Sequence, residues 1–207
     1  DALVDERQYA AALAMLNQVP SDDLLAGLVG LRRAAVLERM ERTDEAVAQL
    51  RAIAAAFPTS SQPYARLGDV YRSKQRWAEA ATAYSEAIAR VSAPTPAHWP
   101  LFYSRGVALE RAGQWPEAEA DFRHALELSP EQPFVLNYLG YTWVERGEHL
   151  AEARRMIERA AALRPQDGNI ADSLGWALFK LNDLPGAIRW LERAVELEPR
   201  SSVINDH

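Results

Sequence analysis

Residues 137–147 read NYLGYTWVERG, an aromatic-rich helical stretch with Gly140 at its centre. Glycine in a helix interior costs about 1 kcal/mol relative to alanine, so the position demands a packing reason. The concession recurs. YARLGDVYRSK (64–74) carries Gly68, YSRGVALERAG (103–113) carries Gly106, and DSLGWALFKLN (172–182) carries Gly175. One glycine at one phase of four similar helices points to an internal repeat.

Aligning the glycines gives a unit of 34 residues, with places counted from its first residue: 61–94, 99–132, 133–167 (one residue longer) and 168–201. One step back, residues 27–60 form a weaker unit with Ala34 at the glycine place, and residues 1–26 hold a half unit. Within each unit the apolar spacing is helical twice, with a break near the fifteenth place. Gly113, Gly147 and Asn182 stand at that break, and all three tolerate the left-handed conformation that ends a helix. Pro116 and Pro185 then fall in the first turn of the second helix, where the missing N–H is harmless. Pro58, Pro130, Pro165 and Pro199 share one place just after that helix and stop it.

These residues make the chain resemble the tetratricopeptide repeat family. Tyr64, Leu67, Gly68, Tyr71, Ala80, Tyr84 and Ala87 carry the resemblance in one unit; Phe102, Gly106, Ala118, Phe122, Ala125 and Pro130 carry it in the next. Leu136, Leu139, Gly140, Trp143, Ala153, Ala160 and Pro165 follow, then Leu174, Gly175, Ala187, Ala194 and Pro199. The resemblance implies an all-α fold, a right-handed superhelical solenoid of antiparallel helix pairs running through residues 1–207 as one array. It also implies close crossings between the small residues at the eighth and twentieth places: Gly68 with Ala80, Gly106 with Ala118, Gly140 with Ala153 and Gly175 with Ala187.

Three departures carry expectations of their own. TPAH, residues 95–98, is an insertion read as a long turn rather than a domain linker, since four residues make an ordinary loop. The extra residue in GEHLAEA (147–153) falls in the turn between helices. Arg105 stands where leucine is usual, which predicts a more solvated helix face, and Glu117 with Asp121 reads as surface. At the ends, DALVDE (1–6) reads as the last turns of a first helix and SVINDH (202–207) as the start of a further repeat. A longer parent chain is therefore expected, with apolar surface at the C-terminal face.

Composition narrows the function. Hydrophobic residues at 48% and charged ones at 25% fit a folded chain, and no apolar run approaches the ~20 residues that span a bilayer. With 23 basic against 29 acidic residues the net charge is −6, which argues against nucleic acid and anionic membrane as partners. The chain has no cysteine, so thiolate chemistry and cysteine-ligated metals are excluded. Lys74 and Lys180 are the only lysines, and the arginine and alanine bias is that of a GC-rich bacterial genome; cytoplasm and periplasm both stay open. His98, His124, His149 and His207 lie far apart, and no phosphate loop, dinucleotide fingerprint or nucleophile elbow is present. No catalytic residue, metal site or cofactor is expected.

The resemblance implies ligand contacts on first helices, at the second, fifth, ninth, twelfth and thirteenth places. Those places hold Leu28, Leu31, Ala35, Glu38 and Arg39 in the first full unit and Gln62, Ala65, Asp69, Arg72 and Ser73 in the second, with no aromatic among them. Later units place Tyr103, Phe134, Tyr141, Trp176 and Phe179 there, joined by Asn137 and Asp172 as polar groups able to bond a backbone. Each ring can bury roughly 150–250 Å². A partner-binding groove is one reading of these rings, and packing between neighbouring first helices is the other. The carboxylate clamp of chaperone adaptors is missing, because its second, fifth, sixth and ninth places offer Tyr103, Val107, Tyr138, Asn169 and Ser173, and the asparagine ladder of the glycosyltransferase type is missing, because the sixth place reads Arg32, Arg66, Ser104, Tyr138 and Ser173. The expected function is a non-catalytic scaffold that takes a peptide segment or partner helix. The alternatives are a structural segment that self-associates through its terminal faces, and an accessory region of a larger protein or enzyme.

Overall fold

The computed structural model describes residues 2–19, 23–199 and 201. Among them the chain is all-α, with eleven α-helices, one 3-10 turn and no strand. Residues divide into two compact units, 1–121 and 122–207. The first contains α1 (Ala2–Gln18), α2 (Asp23–Arg39), α3 (Thr43–Ala56), α4 (Gln62–Ser73), α5 (Trp77–Ile88), α6 (Trp99–Arg111) and the start of α7 (Trp115–Leu128). The second contains the rest of α7, α8 (Pro133–Arg146), α9 (Leu150–Leu163), α10 (Gly168–Lys180) and α11 (Leu184–Leu197). Sequential helices pack as pairs: α2 on α3 and α4 on α5 in the first unit, α8 on α9 and α10 on α11 in the second.

Every pair from α2 onward is joined by the same backbone closure. The residue at the fifteenth place lies in the left-handed region: Glu41 (φ 57°), Gln75 (φ 57°), Gly113 (φ 81°), Gly147 (φ 70°) and Asn182 (φ 63°). The N–H that follows it reaches back to a helix carbonyl: Arg42 to Leu37 at 2.9 Å, Arg76 to Tyr71 at 2.9 Å, Gln114 to Leu109 at 2.8 Å, Glu148 to Trp143 at 2.9 Å and Asp183 to Leu178 at 2.9 Å. These bonds satisfy carbonyls that a helix end would otherwise orphan. The sequence identifies three of the five positions; Glu41 and Gln75 adopt the conformation without the residue that favours it.

The glycines at the eighth place face something larger than the expected alanines. A Cβ on Gly68 would stand 2.5 Å from the Tyr84 ring, on Gly140 2.7 Å from Ile157 Cγ1, and on Gly175 2.7 Å from Leu191 Cγ. All three partners occupy the twenty-fourth place once the extra residue of the 133–167 unit, which precedes Ile157, is set aside. Gly140 also approaches the backbone, with the Ala153 carbonyl 3.0 Å from the added Cβ. Ala80, Ala118 and Ala153 are wholly buried and Ala187 nearly so, beneath the same crossings. Gly106 is buried in α6. The opening stretch therefore reads as a helix thinned so that a second-helix side chain can lie across it.

Four expectations resolve here. The 95–98 insertion is a 3-10 turn, Pro96–His98, inside the first unit; the Thr95 N–H donates to His98 Nδ1 at 3.0 Å, and α5 packs on α6 across it. The extra residue of the third unit is absorbed by a second left-handed residue, His149 (φ 45°), whose ring packs on Trp143 at 4.8 Å. Arg105 and Asp121 correct the sequence reading: Asp121 is 5% exposed, and the Arg105 guanidinium donates to it through Nε and Nη2, each at 2.6 Å. Arg105 Nη1 also donates to Ser85 Oγ at 3.1 Å, so a fork of hydrogen bonds replaces the usual leucine contact. At the start, Ala2–Gln18 is one uninterrupted helix, because no glycine, proline or asparagine breaks residues 2–16. Residues 202–207 lie outside the described residues.

Candidate functional site

Six of the seven residues named for the groove belong to the second unit, on α8 and α10, and the structure brings these two helices into contact. Phe134 and Phe179 are the exposed members, at 42% and 48%. Trp176 stacks on Phe179 with ring centroids 5.4 Å apart and 29° between planes. The Trp176 indole N–H donates to Glu145 Oε1 at 2.6 Å, so α10 is tied to α8 through a groove residue rather than through the core. Lys180 closes the cluster, its Nζ 5.1 Å above the Trp176 ring and 3.7 Å from Glu145 Oε1. At the other end of α8, the Arg164 guanidinium lies 5.1 Å from the Phe134 ring centre and 3.5 Å from Asp167.

Between these ends runs a polar strip. Asn137 Nδ2 donates to Ser173 Oγ at 3.2 Å, which leaves Asn137 Oδ1 buried with no hydrogen-bond partner. Ser173 donates in turn to the Asn169 carbonyl at 2.9 Å. Asp172 is 6% exposed. Tyr141 is half-buried, and burial first, then the charges of Glu145 and Asp172, push its hydroxyl above the ordinary tyrosine range. Asn137 Oδ1 and Asp172 are closed to solvent, so the strip presents the half-buried Tyr141 phenol between aromatic faces.

Tyr103 is the seventh named residue and lies in the first unit. Its ring packs on Trp99 at 5.9 Å, and burial raises its hydroxyl pKa against the opposing charge of Arg72. Core packing thus accounts for much of Tyr103, as it does for Trp143 and Phe122, both wholly buried. In the first unit the corresponding faces of α2 and α4 enclose a hollow of about 450 Å³ lined by Leu28, Leu31, Ala35, Gln62 and Asp69 together with Arg32 and Arg66. The sequence reading named the first five of these and gave the place little weight, having counted aromatics. The signal available there was Leu28, an apolar residue at a groove place, which is 55% exposed. Among the described residues no group of acidic or histidine side chains is arranged to hold a metal ion, and no helix is long and apolar enough to cross a membrane.

Comparison with known proteins agrees with this architecture. A family model described as tetratricopeptide repeat matches residues 65–133 and 144–202, and a second with the same description matches residues 29–60. The TPR repeat-containing protein PA4667 of Pseudomonas aeruginosa is 29% identical over 201 residues, which is 96% of this chain and 33% of that protein. The chain thus spans about a third of the length of this curated relative. Among solved structures, that of PilW, a widely conserved type IV pilus biogenesis factor, superposes with a TM-score of 0.78 at 20% identity, covering 97% of this chain and 90% of that one. YrrB, a TPR protein with an unusual peptide-binding site, gives a TM-score of 0.67 at 18% identity over 87% of this chain and 90% of that one. Such repeats serve in general as non-catalytic protein-interaction scaffolds. With more than half of its residues matched by repeat models and a bacterial relative along nearly its whole length, the chain belongs to the tetratricopeptide repeat family.

Proposed function

We propose that the face shared by α8 and α10 binds an extended peptide segment or helix of a partner protein. The observation that carries this reading is the pair of exposed rings, Phe134 and Phe179, at groove places of a helix pair whose core is already closed. Large exposed apolar residues gathered around convergent polar groups are the usual composition of a protein-binding patch. Trp176 and Tyr141 serve as the half-buried walls. Peptide recognition in YrrB supports the class of ligand without specifying its sequence. The test is selection of twelve-residue random peptides displayed on phage, run on the wild type and on Tyr141→Ala with Trp176→Ala. Recovery of a peptide pool on the wild type alone, with both proteins melting alike, is the expected result; equal pools on both proteins remove the site from this face.

A second reading rests on α11. Leu184, Ile188 and Val195 lie along one helical stripe and are 48%, 57% and 39% exposed. Two copies that cover this stripe would show a mass that rises with concentration in sedimentation and is restored to one chain by Ile188→Glu.

A further inference from the structure

The first unit carries a surface of different chemistry. Arg32 on α2 and Arg66 on α4 share the sixth repeat place, and both line the hollow of about 450 Å³ between these helices. Among the described residues Arg32 is exposed and takes no part in a hydrogen bond, ion pair or ring contact. Arg66 has a side chain 67% exposed, and its ion pair, Nη1 to Asp69 Oδ2, is stretched to 3.4 Å. Asp69 is held from the other side: its Oδ1 accepts from the Tyr84 hydroxyl at 2.8 Å, and that hydroxyl accepts from Arg72 Nε at 3.3 Å. The carboxylate of the hollow is thus already shared with a third arginine. Over the groove places and the sixth place of α2 and α4, Arg32, Arg39, Arg66 and Arg72 stand against Glu38 and Asp69, a surplus of two positive charges. In a chain of net charge −6 that surplus is a local feature. Apolar surface flanks it. Leu28, 55% exposed, walls the hollow, and Arg32 and Ala35 also line a second one of about 530 Å³ between α1 and α2, where Met15 is 70% exposed.

We infer that the α2–α4 face is a second binding site, for a partner segment in which an acidic residue sits among apolar ones: Arg32 and Arg66 take its carboxylate, and its apolar neighbours cover Leu28 and Met15. The charge complementarity is specific to arginine, whose planar fork of N–H groups matches a carboxylate with two parallel bonds. Arg32 gives up no contact to receive it. Arg66 gives up one long bond within an exposed pair, and such pairs are individually weak. A segment laid across Arg32 meets apolar surface on either side, which supplies the area that a lone ion pair lacks. This site stands independently of the α8–α10 reading, because no residue is common to the two.

Binding through exposed ion pairs is too weak to survive the washing of a phage selection, so the test is an NMR titration of isotope-labelled protein. The probe is a mixture of blocked six-residue peptides with glutamate fixed at one inner position and leucine, valine or alanine around it; a second mixture carries glutamine in place of the glutamate. We expect the glutamate mixture to shift the Arg32, Ala35 and Ala65 amides saturably, and the glutamine mixture to bind about fivefold more weakly. Arg32→Gln removes no contact within the fold and should bring the glutamate mixture down to the level of the glutamine one. Leu28→Asn, at an exposed position, should weaken both mixtures, and added salt should weaken the glutamate mixture alone. Tyr141→Ala with Trp176→Ala should leave these shifts as they are. Equal binding of the two mixtures, or indifference to Arg32→Gln, overturns the inference. Shifts that are absent, or confined to other helices, overturn it as well, and neither outcome bears on α8 and α10, whose site is read by the phage selection.

Discussion

The five left-handed turns make a symmetrical experiment. Gly113 and Gly147 hold φ at 81° and 70°, and a Cβ built on either meets nothing within 4 Å. Replacing Gly147 by alanine therefore adds no clash, and the whole cost is that of holding an L-residue in the left-handed well, about 1 kcal/mol after the alanine's smaller unfolded-state entropy is credited. Gln75 is the mirror case. It sits at φ 57° with the same closing bond, Arg76 N–H to the Tyr71 carbonyl at 2.9 Å, and its backbone carries the strain that glycine would relieve. Gln75→Gly should stabilise by roughly 0.5–1 kcal/mol, because the entropy glycine loses on folding offsets part of the gain. For a chain of this size ~1 kcal/mol moves the melting temperature by about 2–4 °C, so calorimetry should place Gly147→Ala below the wild type and Gln75→Gly above it. Asn182→Gly should move least, since asparagine already tolerates this region. Gly147→Ala melting with the wild type would refute the reasoning, because no packing change is available to mask the backbone cost.

The remaining predictions follow from contacts. Gly140→Leu should cost about 1–3 kcal/mol in urea unfolding, since its side chain must displace Ile157 and press on the immovable Ala153 carbonyl, at 2.7 Å and 3.0 Å from a Cβ alone. Arg105→Leu should destabilise by about 3 kcal/mol or more by stranding the buried Asp121, and Arg105→Leu with Asp121→Leu should recover most of the loss in the same assay. Tyr84 gives a pH dependence. Burial first, then the Asp69 carboxylate that accepts a hydrogen bond from it at 2.8 Å, raises its hydroxyl above the usual tyrosine range, so the folded protein holds the proton more tightly than the unfolded chain. Its stabilisation is complete below about pH 10 and is lost as pH climbs from the unfolded value through the raised folded one, and Tyr84→Phe should flatten the decline in melting temperature expected above pH 10.

Much of the fold was legible because its punctuation is local. The prolines at 58, 130, 165 and 199 and the breaks at 113, 147 and 182 each act within a few residues of themselves, and Gly68, Gly140 and Gly175 recur at one phase, so spacing alone marks the helix pairs. What sequence reading missed depends on distant partners. Asp121 looks like one more acid on a charged helix until Arg105, 16 residues away, is brought against it. Glu41 and Gln75 look like ordinary helix residues, and only the closed turn forces them past φ 0°. The candidate site divides the same way. Its positions were legible from repeat places, but the links that shape it, Trp176 to Glu145 across 31 residues and Asn137 to Ser173 across 36, are set by how α8 meets α10.

That division follows from how such helices are used. The eighth, fifteenth and twenty-fourth places are spent on crossing and turning: a Cβ at the eighth would stand 2.5–2.7 Å from the side chain at the twenty-fourth, and the backbone at the fifteenth lies in the left-handed region. The groove places take no part in those contacts, so the scaffold leaves them open to any chemistry. The two units show the latitude. On α2 and α4 these places and their neighbours present Leu28, Arg32, Gln62 and Arg66 around a hollow, whereas on α8 and α10 they present rings, carboxylates and one lysine. A substitution at an exposed groove place such as Phe134 or Phe179 should therefore change what is bound while leaving the melting temperature nearly still, and a substitution at a crossing place should do the reverse.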